Sequence, residues 1–154
     1  RLWMVLLIFV GLSWIFSFVL ALTFQMAHCV DEAYFSPLSE VNEDGKIPIA
    51  NFEHQVRTTA DFCPKDRENN SNGPITTWFN GVLTWFMGGL NYQLEHHLFP
   101  KVTHIHYPKI APIVRQECEK FNLPYMCNPT LWQAVKAHYR HLENMGRSPK
   151  VVTA

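Results

Sequence analysis

The chain has 154 residues, with 13 basic and 13 acidic side chains and no formal net charge. That balance leaves no electrostatic footprint for nucleic acid or for a strongly charged partner, so function has to reside in specific sites. Apolar residues make up 47% and aromatic ones 14%, yet the mean hydropathy is close to zero, so the apolar residues are concentrated in one part of the chain and diluted in another.

The concentration is at the N-terminus. Residues 2–27 contain no Asp, Glu, Lys, Arg or His, and a helix of that length, at about 1.5 Å per residue, exceeds the roughly 20 residues that cross a bilayer. A secretory signal is the rival, but its apolar core is shorter, about 7 to 15 residues, and follows a basic segment. We therefore expect a transmembrane helix over 1–27. The chain opens on Arg1 with hydrophobic sequence at once, which leads us to expect a piece of a longer protein. His28 is the first ionisable side chain beyond Arg1, followed closely by Asp31 and Glu32, a position suited to a metal ligand at the membrane surface.

Residues 28–74 are expected to form a cytosolic loop region: from Ser36 to Pro74 the sequence turns to Pro, Asn, Asp, Glu and Lys and reads as a long surface loop. Asn69-Asn70-Ser71 fits the glycosylation pattern and is expected to stay unmodified. Cys29, Cys63, Cys118 and Cys127 lack the C-x-x-C spacing of a zinc site and are too sparse for a disulfide framework; a reducing, cytosol-facing location fits them.

Hydrophobicity returns over 75–100 with Trp78, Phe79, Trp85 and Phe86, interrupted by Gly81, Gly88 and Gly89. A segment this broken is expected to be a helix pair lying at the membrane interface, or buried beside the first span, rather than a second crossing. Residues 101–154 are expected to be a cytosolic helical region. Ile110, Ile113, Val114 and Glu117 repeat at helical spacing, and Leu131, Val135, Tyr139 and Leu142 form a second stripe, with Asn128 as its cap, Pro129 in its first turn and Gly146 at its end. The fold class is thus an all-α membrane protein with one transmembrane helix, interfacial helices and a cytosolic helical cap.

The chemistry sits in Asn91-Tyr92-Gln93-Leu94-Glu95-His96-His97-Leu98-Phe99-Pro100. On a helix, Gln93, His96 and His97 stand at i, i+3 and i+4, so two imidazoles and an amide converge on adjoining parts of one face. Imidazole suits Fe, Zn and Cu, and neighbouring histidines about 100° apart around a helix reach two metals rather than crowd one. Adjacent histidines on a soluble surface carry no such meaning; here they follow an apolar aromatic segment, and ionisable groups near membrane depth tend to be functional. Glu95 points away from both histidines and is expected to orient a ligand by hydrogen bonding.

The stretch from Gln93 to Pro100 resembles the third histidine box of the front-end fatty acid desaturases, in which Gln replaces the first His of the wider family. Gln55-Val56-Arg57-Thr58-Thr59-Ala60-Asp61-Phe62 and His104-Ile105-His106-Tyr107-Pro108 resemble the flanks of that box. The resemblance implies that Gln93, His96 and His97 belong to a metal site and that His28 is the extra histidine ligand supplied from outside the boxes. It implies two iron ions and O2 as co-substrate, no catalytic residue beyond the metal ligands, and the family's first two boxes upstream of Arg1. It further implies an acyl-CoA or acyl-lipid substrate, cytochrome b5 or ferredoxin as electron donor, no nucleic acid, and an endoplasmic reticulum membrane with the active site facing the cytosol. The substrate-binding residues stay open. A sphingolipid long-chain-base desaturase or a fatty acyl hydroxylase uses similar histidines, and a truncated, catalytically inactive membrane protein is the alternative outside the enzymes.

His104 and His106 are expected to pack or hydrogen-bond near the box, and His138 and His141 to be surface residues. Arg57 has two readings, a headgroup or donor contact and a structural pairing with an acidic neighbour. For Trp78 to Leu90 the alternatives are lining an acyl tunnel and packing against the span.

Overall fold

The computed structural model describes residues 1–65 and 73–147; the glycosylation pattern at Asn69 lies outside them. Among the described residues six α-helices and two short strands follow in order: α1 Leu2–His28, α2 Asn51–Thr58, β1 Ala60–Phe62, α3 Gly73–Phe86, α4 Gln93–Leu98, α5 Tyr107–Lys120, β2 Met126–Asn128 and α6 Leu131–Arg147. The protein is mostly helical, and among the described residues α1 is the one helix long and apolar enough to cross a membrane. Its large apolar side chains stand exposed from Leu2 to Phe18, while Thr23, Met26 and Ala27 near its C-terminal end are buried. The free half wants a hydrocarbon solvent; the other end is built into the rest of the molecule.

That end packs on everything that follows. Met26 and Ala27 share a core with Phe62, Cys63 and Ala134, flanked by Leu83, Met87 and Leu131, so α1, β1, α3 and α6 meet there. Strands β1 and β2 pair in parallel, with Ala60 opposite Met126, Asp61 opposite Cys127 and Phe62 opposite Asn128. A second core joins α2, α4 and α5 through Val56, Leu94, Val114 and Cys118. Tyr92, Tyr107 and Ala111 form an adjoining core along the same stripe of α5, sharing Ile110 with it.

The segment expected to be a surface loop differs in part: α2 and β1 lie within it. Both are short and owe their form to neighbours, α2 to Val56 buried under α5 and β1 to its pairing with β2. The expected helix pair over 75–100 is present as α3 and α4, joined by a turn in which Gly89 has φ +76° and would drive any Cβ to 2.7 Å from the Cβ of His104. The cap of α6 is a correction. Thr130 Oγ1 accepts the backbone N–H of Gln133 at 3.2 Å while Gln133 Oε1 accepts the backbone N–H of Thr130 at 3.1 Å, a reciprocal capping box; Asn128 belongs to β2 instead. Gly146 does not end the helix, which runs on to Arg147.

Candidate metal centre

Each candidate ligand is held by a different device. His28 is the last residue of α1, half-buried, with Nδ1 3.5 Å from the Thr58 carbonyl. A proton held on that nitrogen by the carbonyl leaves Nε2 with its lone pair, which is how ligating imidazoles are commonly oriented. Nε2 faces His97 Nε2 at 3.3 Å, and the two rings meet edge to face with centroids 5.1 Å apart. Residues 69 positions apart in sequence thus meet, one where α1 ends and the other in the last turn of α4.

Gln93, in the first turn of α4, is 1% exposed and brings its amide Nε2 to 3.3 Å from His97 Nε2. Its Oε1 is buried with no hydrogen-bond partner. Half a turn about the last side-chain torsion exchanges the two atoms, so the unpartnered oxygen can take the inward place beside the two imidazoles. His96 points elsewhere. Its ring lies 5.8 Å from that of His97, and its Nδ1 is 3.4 Å from the hydroxyl of the buried Tyr107, which leaves Nε2 to face away from that partner.

Burial, then the nearness of His28 and of His96, pushes His97 below the usual histidine range. Neutral imidazole is the ligating form, so this environment favours metal over proton. Two Nε2 atoms 3.3 Å apart can both reach one cation at ordinary metal–nitrogen distances of about 2.1 Å. Among the described residues no three His, Cys, Asp or Glu side chains form a metal-holding group by themselves. The histidine pair with the orphaned amide oxygen fits a share of a metal site, with His96 turned toward a separate position.

Beneath α4 lies a buried polar cluster. Asp61, on β1 and fully buried, accepts the backbone N–H of Leu94 through Oδ1 at 2.9 Å and the Tyr125 hydroxyl through Oδ2 at 2.7 Å. The same hydroxyl reaches Glu95 Oε1 at 3.2 Å, and Arg115 sits 4.8 Å over the Tyr125 ring. Burial, followed by the charge of Asp61, raises Glu95 to about 10, so it is a neutral acid near pH 7. Glu95 therefore joins the support beneath the box, with Asp61 and Tyr125 as its partners.

The remaining histidines sort by position. His104 packs on Gly89. His138 is half-buried on α6 and meets the Cys29 carbonyl through Nδ1 at 2.7 Å, tying α6 to the end of α1, and His141 stacks on Phe35 with centroids 4.7 Å apart. Both were expected at the surface; both instead bind α6 to the segment after α1. Arg57 pairs with Glu53 at 2.8 Å, one helical turn back, which is the structural of its two readings. Asp61, Tyr107 and Tyr125 were not singled out from the sequence, although an aspartate between Ala60 and Phe62 in an otherwise apolar run was a visible signal.

Fold and site together define a helical protein with one candidate membrane span and a histidine-and-amide donor site at the end of it. The family model described as fatty acid desaturase matches residues 1–129, a range that includes His28 and the whole of α4, and the chain belongs to that family. It is 41% identical over 141 residues to an acyl-lipid (8-3)-desaturase of Physcomitrium patens, covering 92% of this chain and 26% of that protein. To an sn-1 linoleoyl-lipid 6-desaturase of Arthrospira platensis it is 38% identical over 132 residues, 86% of this chain and 31% of the other. An acyl-lipid (8-3)-desaturase of Mortierella alpina is 38% identical over 146 residues, 95% of this chain and 29% of its own length. The chain thus spans 26–31% of the length of these curated relatives. No solved structure matches it.

Proposed function

We propose that this chain carries the last histidine box of a membrane-bound desaturase that introduces a cis double bond into a lipid acyl chain, with His28, Gln93, His96 and His97 among the ligands of two iron ions. The observation that carries the reading is the 3.3 Å approach of His28 Nε2 to His97 Nε2, with the buried Gln93 amide, whose oxygen has no partner, reaching the same His97 nitrogen through Nε2 at 3.3 Å. When bound, iron supplies the activation of O2 and the removal of hydrogen from an unactivated methylene, whose C–H bonds lie beyond side-chain acids and bases.

The chain's own residues position. His28 ties the site to the end of α1, and the buried Gln93 presents its amide to His97. A groove of about 590 Å³ runs between α1 and the end of α3, lined by Leu12, Ile15, Phe16, Phe86, Met87 and Leu90. It reaches Thr23, five residues and therefore about 7–8 Å of helix before His28. An acyl chain laid along it would point its methylenes toward the histidines. The relatives are acyl-lipid and linoleoyl-lipid desaturases, which supports an acyl-lipid substrate over an acyl-CoA or a sphingoid base.

On this reading α1 spans the bilayer and α3 lies at its surface through the exposed Trp78, Phe79 and Trp85. The site faces the cytosol at the endoplasmic reticulum and receives electrons from cytochrome b5 or a ferredoxin. The test is the full-length protein that contains this chain: the unaltered enzyme is expected to hold two irons and form product, while His97→Ala forms none and binds iron at least about tenfold more weakly. Normal iron and normal product in His97→Ala contradict the proposal.

A further inference from the structure

Helix α4 carries three of the four candidate ligands on six residues, far below the length at which a helix holds itself together in water. Its N-cap, Tyr92, makes no side-chain capping bond, so the first-turn N–H groups need acceptors from outside the helix. Leu94, directly after Gln93, finds one in Asp61 Oδ1 at 2.9 Å. The other oxygen of the same carboxylate takes the Tyr125 hydroxyl at 2.7 Å, which lies 3.2 Å from Glu95. One buried side chain thereby fixes the backbone of α4 directly and its third residue through a tyrosine.

Asp61 is itself rigidly held. It sits in β1 opposite Cys127 of β2, and the next residue, Phe62, donates its N–H to the Asn91 carbonyl at 3.0 Å, two residues before the ligands begin. A carboxylate placed there at 0% exposure is an expensive choice for packing alone, since an apolar residue would fill the space without the desolvation penalty. Donor groups at a metal tolerate misplacement of only about 0.5 Å.

We propose that Asp61 is a positioning residue of the metal centre: by accepting the Leu94 N–H and the Tyr125 hydroxyl, it sets where α4 presents Gln93, His96 and His97 to the end of α1. This rests on the proposed metal site.

The test uses the full-length protein in detergent, with Asp61→Ala, Asp61→Asn and Tyr125→Phe. Iron affinity is read by chelator competition, and site geometry by the visible spectrum of the cobalt-substituted protein. Asp61→Ala is expected to lose about tenfold or more in iron affinity with a shifted cobalt spectrum, while Asp61→Asn, whose Oδ1 still accepts from Leu94, stays within about threefold. Tyr125→Phe, which keeps the Leu94 bond, is expected to fall between them. Unchanged affinity and spectrum in Asp61→Ala overturn the inference, as does Asp61→Asn binding no better than Asp61→Ala. If Asp61→Ala does not accumulate in membranes, Asp61→Asn decides: near-normal affinity and an unshifted spectrum support the role, and a loss of about tenfold at normal accumulation overturns it. An unaltered protein that binds no iron contradicts the metal site itself, and so separates failure of that reading from failure of this one.

Discussion

Helix α1 exposes large apolar side chains from Leu2 to Phe18, with its form set by its own composition and by the solvent that composition requires. Helix α4, six residues long, has Gln93, Leu94 and Glu95 buried and depends on β1, α2, α5 and the segment before β2 for its shape. The candidate site forms where the two meet, His28 from the first and His97 from the second. A self-sufficient helix supplies the fixed post, and a helix that cannot stand alone is pressed against it. Changes in the free half of α1 should therefore be felt at the membrane, and changes around α4 at the site.

The largest contrast is expected between two leucines. Leu94 is fully buried in the core that joins α4 to α2 and α5, so Leu94→Ala should cost about 2–5 kcal/mol and unseat the box. Leu7 is 63% exposed in this chain, and Leu7→Ala should leave unfolding within about 0.5 kcal/mol. Thermal midpoints of the two variants in the full-length protein check this. Equal effects would show that α4 does not depend on its neighbours.

The next effect is smaller and depends on pH. Glu95 is raised from 4.5 to about 10, chiefly by burial and then by Asp61, so over that range the folded state keeps a proton that the unfolded chain has released. A raised acid favours the fold at low pH and loses its contribution as pH climbs from about 4.5 toward about 10. Glu95→Gln mimics the protonated acid and does not titrate. Its stability relative to the unaltered protein is expected to rise by about 1 kcal/mol or more between about pH 5 and pH 8, measured as thermal midpoints across that range. A constant difference would mean Glu95 is ionised in the fold.

The smallest effect tests a helix outside both. The reciprocal bonds between Thr130 and Gln133 cap α6, and Thr130→Ala should cost about 1 kcal/mol without altering iron content. Loss of iron in that variant would mean α6 is coupled to the site more tightly than its bond from His138 to the Cys29 carbonyl implies.

Elements that organise themselves were legible in the sequence. Residues 2–27 announce α1 by lacking charge, and the apolar stripes of α5 and α6 follow from spacing alone. The box was legible because Gln93, His96 and His97 follow an aromatic segment. What stayed hidden needs partners far along the chain: α2 and β1 sat inside a polar, Pro-containing stretch, and β1 exists through pairing with β2, 66 positions away in the Ala60–Met126 register. The cap of α6 was misplaced by two residues because Asn128 and Thr130 are both good caps, and only the bond to Gln133 separates them. Asp61 and Tyr125 escaped notice because nothing local signals that two side chains 64 positions apart will meet under a third.

The central claim is that His28 and His97 bind the same metal centre, and X-ray absorption at the iron edge of the full-length, iron-loaded protein tests it most directly. His28→Ala and His97→Ala are each expected to lower the imidazole scattering around iron, by a similar amount, and to weaken iron binding at least about tenfold. An unchanged imidazole shell and full iron content in His28→Ala would contradict the account.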